Sequence, residues 1–162
     1  ALFSIGCLSV KWKFLSIIQL QEMLSKIYAD GFGQQIIITR SFNHIGPGQR
    51  ENFVISSFVK QLVQLSKQNN SKNEITTGDL TIIRDFLDVR DVVKAYYILL
   101  KHGQSGEIYN ICSGKGTMLK EIINKISFLL NTPVDIVTNP DLIRRNENRK
   151  IIQEIIIEAK QY

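Results

Sequence analysis

Little in this sequence speaks for metal or disulfide chemistry. Its 162 residues hold two cysteines, Cys7 and Cys112, with no Cys-x-x-Cys pair and no companion histidine at metal-ligand spacing. Neither a disulfide framework nor a zinc site is indicated, and a reducing compartment, the cytoplasm, is expected. No apolar run is long enough to span a bilayer. The opening stretch from Ala1 to Val10 is apolar, but Lys11 and Lys13 interrupt it, and neither a Met nor a basic residue precedes it. A membrane partner and a signal peptide are therefore not expected. A chain that begins at Ala1 with no start residue is expected to be a truncated or processed product.

A concentrated basic stripe is also missing. The net charge is +5, from 20 Lys and Arg against 15 Asp and Glu, but the two signs are interspersed along the chain. This argues against a nucleic-acid partner and leaves two readings, a solvated surface or one that attracts small phosphorylated ligands. Asn69-Asn70-Ser71 fits a glycosylation triplet, of a kind that arises by chance in an Asn-rich loop. No internal repeat is present. What remains, 44% hydrophobic and 22% charged residues, suits one globular domain or part of one.

Periodicity gives the organisation. Leu20, Met23, Leu24, Ile27 and Tyr28 recur at helical spacing, with Gly31 as the stop. The run Ile36-Ile37-Ile38-Thr39 reads as a central strand buried on both faces of a parallel sheet. Ser41 to Asn52 is a loop at that strand's C-terminal end, where open α/β sheets bind ligands. Phe53 to Lys67 is helical, with Val54, Phe58, Leu62 and Leu65 on one face, and Gln68 to Asn73 is a polar linker. Thr76 to Phe86 is extended around a turn at Gly78-Asp79. Asp88 caps a helix to about Lys101, with Asp91 at the third helical position and Val92, Tyr96 and Leu99 inward. Glu107 to Cys112 is a strand, Thr117 caps the next helix, and Val134 to Val137 is a last strand. A polar loop from Asn139 to Arg149 and a terminal helix from Ile151 to Lys160 follow. This alternation indicates a parallel α/β sheet with right-handed crossovers.

The dinucleotide fingerprint Gly-x-Gly-x-x-Gly is absent. Gly31-Phe32-Gly33, Gly46-Pro47-Gly48 and Gly114-Lys115-Gly116 each lack the third glycine, and no Walker A pattern occurs.

Two longer segments carry more. Thr39-Arg40-Ser41-Phe42-Asn43-His44-Ile45-Gly46-Pro47-Gly48-Gln49 resembles the loop after the sixth strand of extended short-chain dehydrogenases that act on nucleotide sugars. Arg84-Asp85-Phe86-Leu87-Asp88-Val89-Arg90-Asp91 resembles the same family's Arg-Asp-Phe-x-x-Val-x-Asp signature, in its proper order. Ile108-Tyr109-Asn110-Ile111-Cys112-Ser113-Gly114 is similar to its late strand and turn, and Arg144-Arg145-Asn146-Glu147 resembles its Arg-Pro-x-Glu element, with Arg145 in place of Pro. The His44-Ile45-Gly46-Pro47-Gly48-Gln49 wording leans toward the GDP-deoxymannose reductase and dehydratase branch.

The resemblance implies the C-terminal part of a Rossmann-like parallel sheet with a small α/β substrate-binding subdomain. It divides the chain into a divergent segment, 1–20, and a nucleotide-sugar-binding part, 21–162. Asn43 is placed at the phosphate or sugar region of a GDP-sugar, with stabilisation of its own loop as the alternative. His44 is placed beside the nicotinamide of NAD or NADP, with an ordinary loop hydrogen bond as the alternative. Arg84 is placed at the diphosphate, against an ion pair with Asp85 or Asp88. Arg144 and Glu147 are placed at phosphate and ribose, against a solvated charged loop. Asp85, Asp88 and Asp91 imitate a metal cluster, yet Asp88 and Asp91 are explained by helix capping. Phe14 and Ile18 occupy the positions of the family's catalytic Tyr and Lys, so neither proton exchange nor a supporting charge is available there. Two functions stay open: part of an NAD(P)-dependent enzyme that is inactive alone, or a non-catalytic nucleotide-sugar-binding module. A homodimer is implied through the helix that bears the Tyr and Lys positions.

Overall fold

The computed structural model describes residues 2–5, 12–68 and 73–143. In chain order the elements are β1 (Leu2–Ile5), α1 (Trp12–Phe32), β2 (Ile37–Ser41), β3 (Asn43–Ile45), α2 (Val54–Ser66), β4 (Glu74–Thr77), β5 (Ile83–Asp88), α3 (Val89–His102), β6 (Ile108–Ile111), β7 (Gly116–Met118), α4 (Leu119–Leu129), β8 (Asp135–Thr138) and a single 3-10 turn, Pro140–Leu142. They divide into two compact units, Ala1–Gly46 with Asp85–Gly114, and Pro47–Arg84 with Lys115–Tyr162.

In the first unit β2 is the middle strand of the order β1-β2-β6, parallel to both neighbours, with Phe3 opposite Ile38 and Ile38 opposite Ile108. A central strand must be apolar on both faces, and Ile36, Ile37, Ile38 and Thr39 are all buried. Alternation assigns the faces. Ile36 and Ile38 form a core with Ile18 and Ala29 of α1 and Ile108 of β6, and Arg40, two residues on, bonds Glu22 of α1. On the other face Ser41 meets Tyr96 of α3 at 2.7 Å, and a Cβ on Gly103 would stand 2.9 Å from Ile37 Cδ1. Helices thus cover both sides, the α/β class expected. Burial of Ile38, wholly enclosed, contributes about 1.5–3 kcal/mol. β3 runs parallel to β5, with Asn43 opposite Phe86 and Ile45 opposite Asp88.

α1 begins at Trp12, before the first periodic residue, and passes through Gly31. The stop is Gly33, whose φ of +63° suits a residue without Cβ, and Gln34 N–H donates to the Tyr28 carbonyl at 3.2 Å. Its inner stripe is Ile18, Glu22, Ser25 and Ala29. The apolar stripe legible in the sequence faces outward, with Leu20, Met23, Leu24, Ile27 and Tyr28 between 46% and 61% exposed.

In the second unit β4 and β8 pair in parallel, Ile75 opposite Ile136. Ile75 and Thr77 point inward. α2 buries Ile55, Phe58 and Leu62. Val54 is exposed instead, because the stripe at three- and four-residue spacing starts one residue later. α4 buries Leu119 and Ile123. Thr117 does not cap it: the chain stays extended through β7, and Met118 holds the cap position without a side-chain bond. Backbone carbonyls from elsewhere in this unit serve the first turn, Leu119 N–H donating to Ile82 and Lys120 N–H to Leu80. Residues 69–72 of the expected linker, 144–149 of the polar loop and the expected helix from Ile151 lie outside the described residues. Among the described residues no helix is long and apolar enough to cross a membrane.

Candidate functional site

The site-bearing loop of the first unit leaves β2 at Phe42, whose N–H donates to the Ile111 carbonyl at 2.9 Å. Asn43 follows, half-buried, and its Nδ2 donates to the main-chain carbonyl of Asp85 at 3.2 Å. His44 is exposed, with Nδ1 3.3 Å from the Phe42 carbonyl. Gly46 closes the segment against the first turn of α3. A Cβ there would fall 2.4 Å from Val89 Cγ1, so the glycine is required by close approach.

The sequence offered Asp85 as an ion-pair partner of Arg84 and as one of three acids that imitate a metal cluster, and did not foresee its bond to Ser113. It is fully buried. Its Oδ1 accepts the Ser113 N–H at 3.0 Å, in the turn after β6 where Gly114 has a φ of +70°. Burial pushes the neighbouring Cys112 thiol above its ordinary pKa, and the Asp85 charge acts in the same direction.

Asp88 caps α3 as expected. Its Oδ1 accepts the Arg90 N–H at 2.8 Å, and the Arg90 guanidinium grips the carboxylate at 2.9 and 2.6 Å. The Arg90 side-chain and backbone bonds hold the Asp88 carboxyl far below the usual carboxylate range. Asp91 lies in the first turn and pairs with Lys94 at 3.0 Å. Capping and helix pairs account for these two acids, and among the described residues no group of three or more His, Cys, Asp or Glu could hold a metal.

Arg84 belongs to the second unit. It is half-buried, and its Nη1 donates to the Ile83 carbonyl at 3.0 Å. Arg144 and Glu147 lie outside the described residues. Position 14 falls in α1, and Ile18, one turn on, packs on Ile36 and Ile38 as an ordinary core residue. The structure therefore brings Asn43, Asp85 and Ser113 together and places Arg84 in the other unit.

Sequence reasoning also missed Glu22 and Arg40. Glu22 is buried and makes two bonds to Arg40, at 2.7 and 2.6 Å. This raises the Arg40 pKa, the Glu22 hydrogen bond being the main cause. The available signal was the spacing of Ile18 and Glu22, four residues apart on one stripe. The pair borders an open concavity of about 730 Å³ that Met23, Lys26, Ile27 and Asp30 also line. Neither Asn43 nor His44 lines it.

A nicotinamide dinucleotide needs backbone N–H groups at a glycine-rich helix start to hold its pyrophosphate. The starts of α2, α3 and α4 do not fit that group. Asp88 occupies the start of α3, Ile82 and Leu80 carbonyls occupy that of α4, and α2 follows no Gly-x-Gly-x-x-Gly turn.

The NAD dependent epimerase/dehydratase family matches residues 19–112, more than half of the chain. The chain belongs to this family. GDP-6-deoxy-D-mannose reductase of Pseudomonas aeruginosa is 41% identical over 119 residues, covering 74% of this chain and 39% of the reductase. The solved structure of RMD from Pseudomonas aeruginosa complexed with NADPH superposes with a TM-score of 0.72 at 38% identity, over 79% of this chain and 42% of that one. Human dTDP-D-glucose 4,6-dehydratase is 39% identical over 90 residues, covering 56% of this chain and 24% of the dehydratase. The chain thus spans two fifths or less of these curated relatives. The family match contains Asn43, His44 and Arg84 and begins just after Ile18. The epimerase/dehydratase relatives also agree with the Rossmann-like α/β architecture expected for the chain.

Proposed function

We propose that this chain supplies the nucleotide-sugar-holding part of a cytoplasmic NAD(P)-dependent reductase or dehydratase that acts on a GDP-linked 4-keto-6-deoxyhexose. The 41% identity with a GDP-6-deoxy-D-mannose reductase carries the proposal. Arg84 supplies a guanidinium fork for the diphosphate, and Asn43 a side-chain amide for the phosphate or sugar region. His44 contacts the cofactor, and Arg144 and Glu147 hold phosphate and ribose. The dinucleotide itself, NAD or NADP, is held by chain beyond these residues. Segment 1–20 is divergent in sequence from the binding part, 21–162, although it shares the first unit with the residues up to Gly46, and it carries no catalytic pair, with Phe14 and Ile18 at the Tyr and Lys positions.

A second copy pairs through the outward apolar stripe of α1. Leu20, Met23, Leu24, Ile27 and Tyr28 on that stripe are well exposed, a pattern that supports a protein contact.

One observation favours the second reading, a non-catalytic binding module. Ile18 contributes to the apolar core, as a structural residue does. Calorimetry with GDP, UDP and ADP tests what the two readings share. Saturable heat is expected with GDP and less with the other two. No saturable heat from any of the three dismisses both.

A further inference from the structure

Asp85 is a fully buried acid that lies between two loops leaving the C-terminal ends of parallel strands. Its carboxylate accepts the Ser113 N–H at 3.0 Å, and its main-chain carbonyl accepts the Asn43 side-chain amide at 3.2 Å. Both partners belong to the same unit as Asp85. A carboxylate receiving a backbone N–H makes a charge-assisted bond, stronger than a neutral one, and an acceptor lost from a buried place leaves its donor unsatisfied. The ladder adds to this: Asn43 stands opposite Phe86, the next residue of β5, and Phe42 N–H reaches Ile111 at the end of β6. Three segments, the Asn43 loop, the start of the Asp85–Asp88 run and the Ser113–Gly114 turn, are therefore referred to one residue.

We infer that Asp85 is a positioning residue: its carboxylate sets the Ser113–Gly114 turn against the Asn43 loop, and so prepares Asn43 for the nucleotide sugar. The inference rests on the proposed function for its last clause. Asp85 need touch no ligand; it acts through Ser113 and through the strand position that holds Asn43.

Amide hydrogen exchange by NMR on the whole chain tests it, with Asp85→Asn and Asp85→Ala beside the unaltered protein. Asn keeps an acceptor oxygen for Ser113, so Ser113 protection and the Asn43 side-chain amide shift are expected to stay close to those of the parent. Ala removes the acceptor, and Ser113 is expected to exchange roughly tenfold faster, with Ile38 and Thr39 of β2 unchanged and the Asn43 signal displaced. GDP affinity by calorimetry is expected to fall about tenfold in Asp85→Ala and to recover in Asp85→Asn. If Asp85→Ala does not fold, Asp85→Thr, whose oxygen stops short of Ser113, takes its place under the same readouts. Unchanged Ser113 exchange in the Ala or Thr variant, or a uniform acceleration that includes β2, overturns the inference. Absence of GDP heat in the parent protein defeats the proposed function alone, since Ser113 exchange still decides the role of Asp85.

Discussion

Arg40 of β2 and Glu22 of α1 meet through two side-chain bonds, Nε to Oε1 at 2.7 Å and Nη2 to Oε2 at 2.6 Å. The Glu22 side chain is only 11% exposed, whereas that of Arg40 is 43% exposed. The pair therefore fixes the register of α1 on the sheet more than it adds Coulomb energy, which water screens on the arginine side. Four residues back along the same helical stripe lies Ile18, so the same contact sets how that residue enters the core.

Arg40→Lys keeps the charge but loses the fork. Urea unfolding is expected to show a loss of about 1–2 kcal/mol, and Glu22→Ala, which strands the guanidinium, about 1–3 kcal/mol. Equal stability of all three proteins would refute the register role.

Gly46→Ala drives a methyl into Val89 Cγ1. A loss of about 1–3 kcal/mol is expected from overpacking, with much of it restored in the double variant Gly46→Ala, Val89→Ala. Thermal melts of the single and double variants check this, and additive losses count against the contact.

Asp88 has its pKa depressed by Arg90 in the folded chain. A depressed carboxylate pKa stabilises the fold above the unfolded value, about 4, and that contribution is lost as pH falls through the folded value. The melting temperature of the parent is therefore expected to fall more steeply than that of Asp88→Asn once the pH drops below about 4. Parallel profiles would show that Arg90 does not hold the carboxylate in solution.

Arg84→Ala is expected to weaken GDP binding by about 1.5–3 kcal/mol if its charged hydrogen bonds reach the ligand. Calorimetry measures it, with melting as the control. An unchanged affinity removes Arg84 from the site.

How far the sequence disclosed this depended on the range of the interaction. The central strand at Ile36 to Thr39 and the Asp88 cap of α3 were legible, because burial on both faces and a cap with its helix are written within a few neighbouring residues. The start of α4 was not, because Ile82 and Leu80 carbonyls stand in for the cap that Thr117 was expected to give. The side of α1 that faces the sheet was also hidden, since it carries Glu22 and Ser25 while the more apolar stripe points out. The segments around Asn43 and Arg84 announced themselves as motifs, and Asp85 came with the second. What its carboxylate holds was hidden, for its partner Ser113 is 28 residues away in sequence.

The chain passes from one unit to the other after Gly46, returns after Arg84 and leaves again after Gly114. Neither unit can then be made by a single cut of the gene. During synthesis β2 lacks its β6 neighbour until the ribosome has delivered Ile111, and α2 and β4 emerge before that strand can close. Production of the first unit by itself calls for a short spliced linker from Gly46 to Asp85, and a nascent chain stalled before β6 is expected to leave an unpaired strand open to chaperone capture.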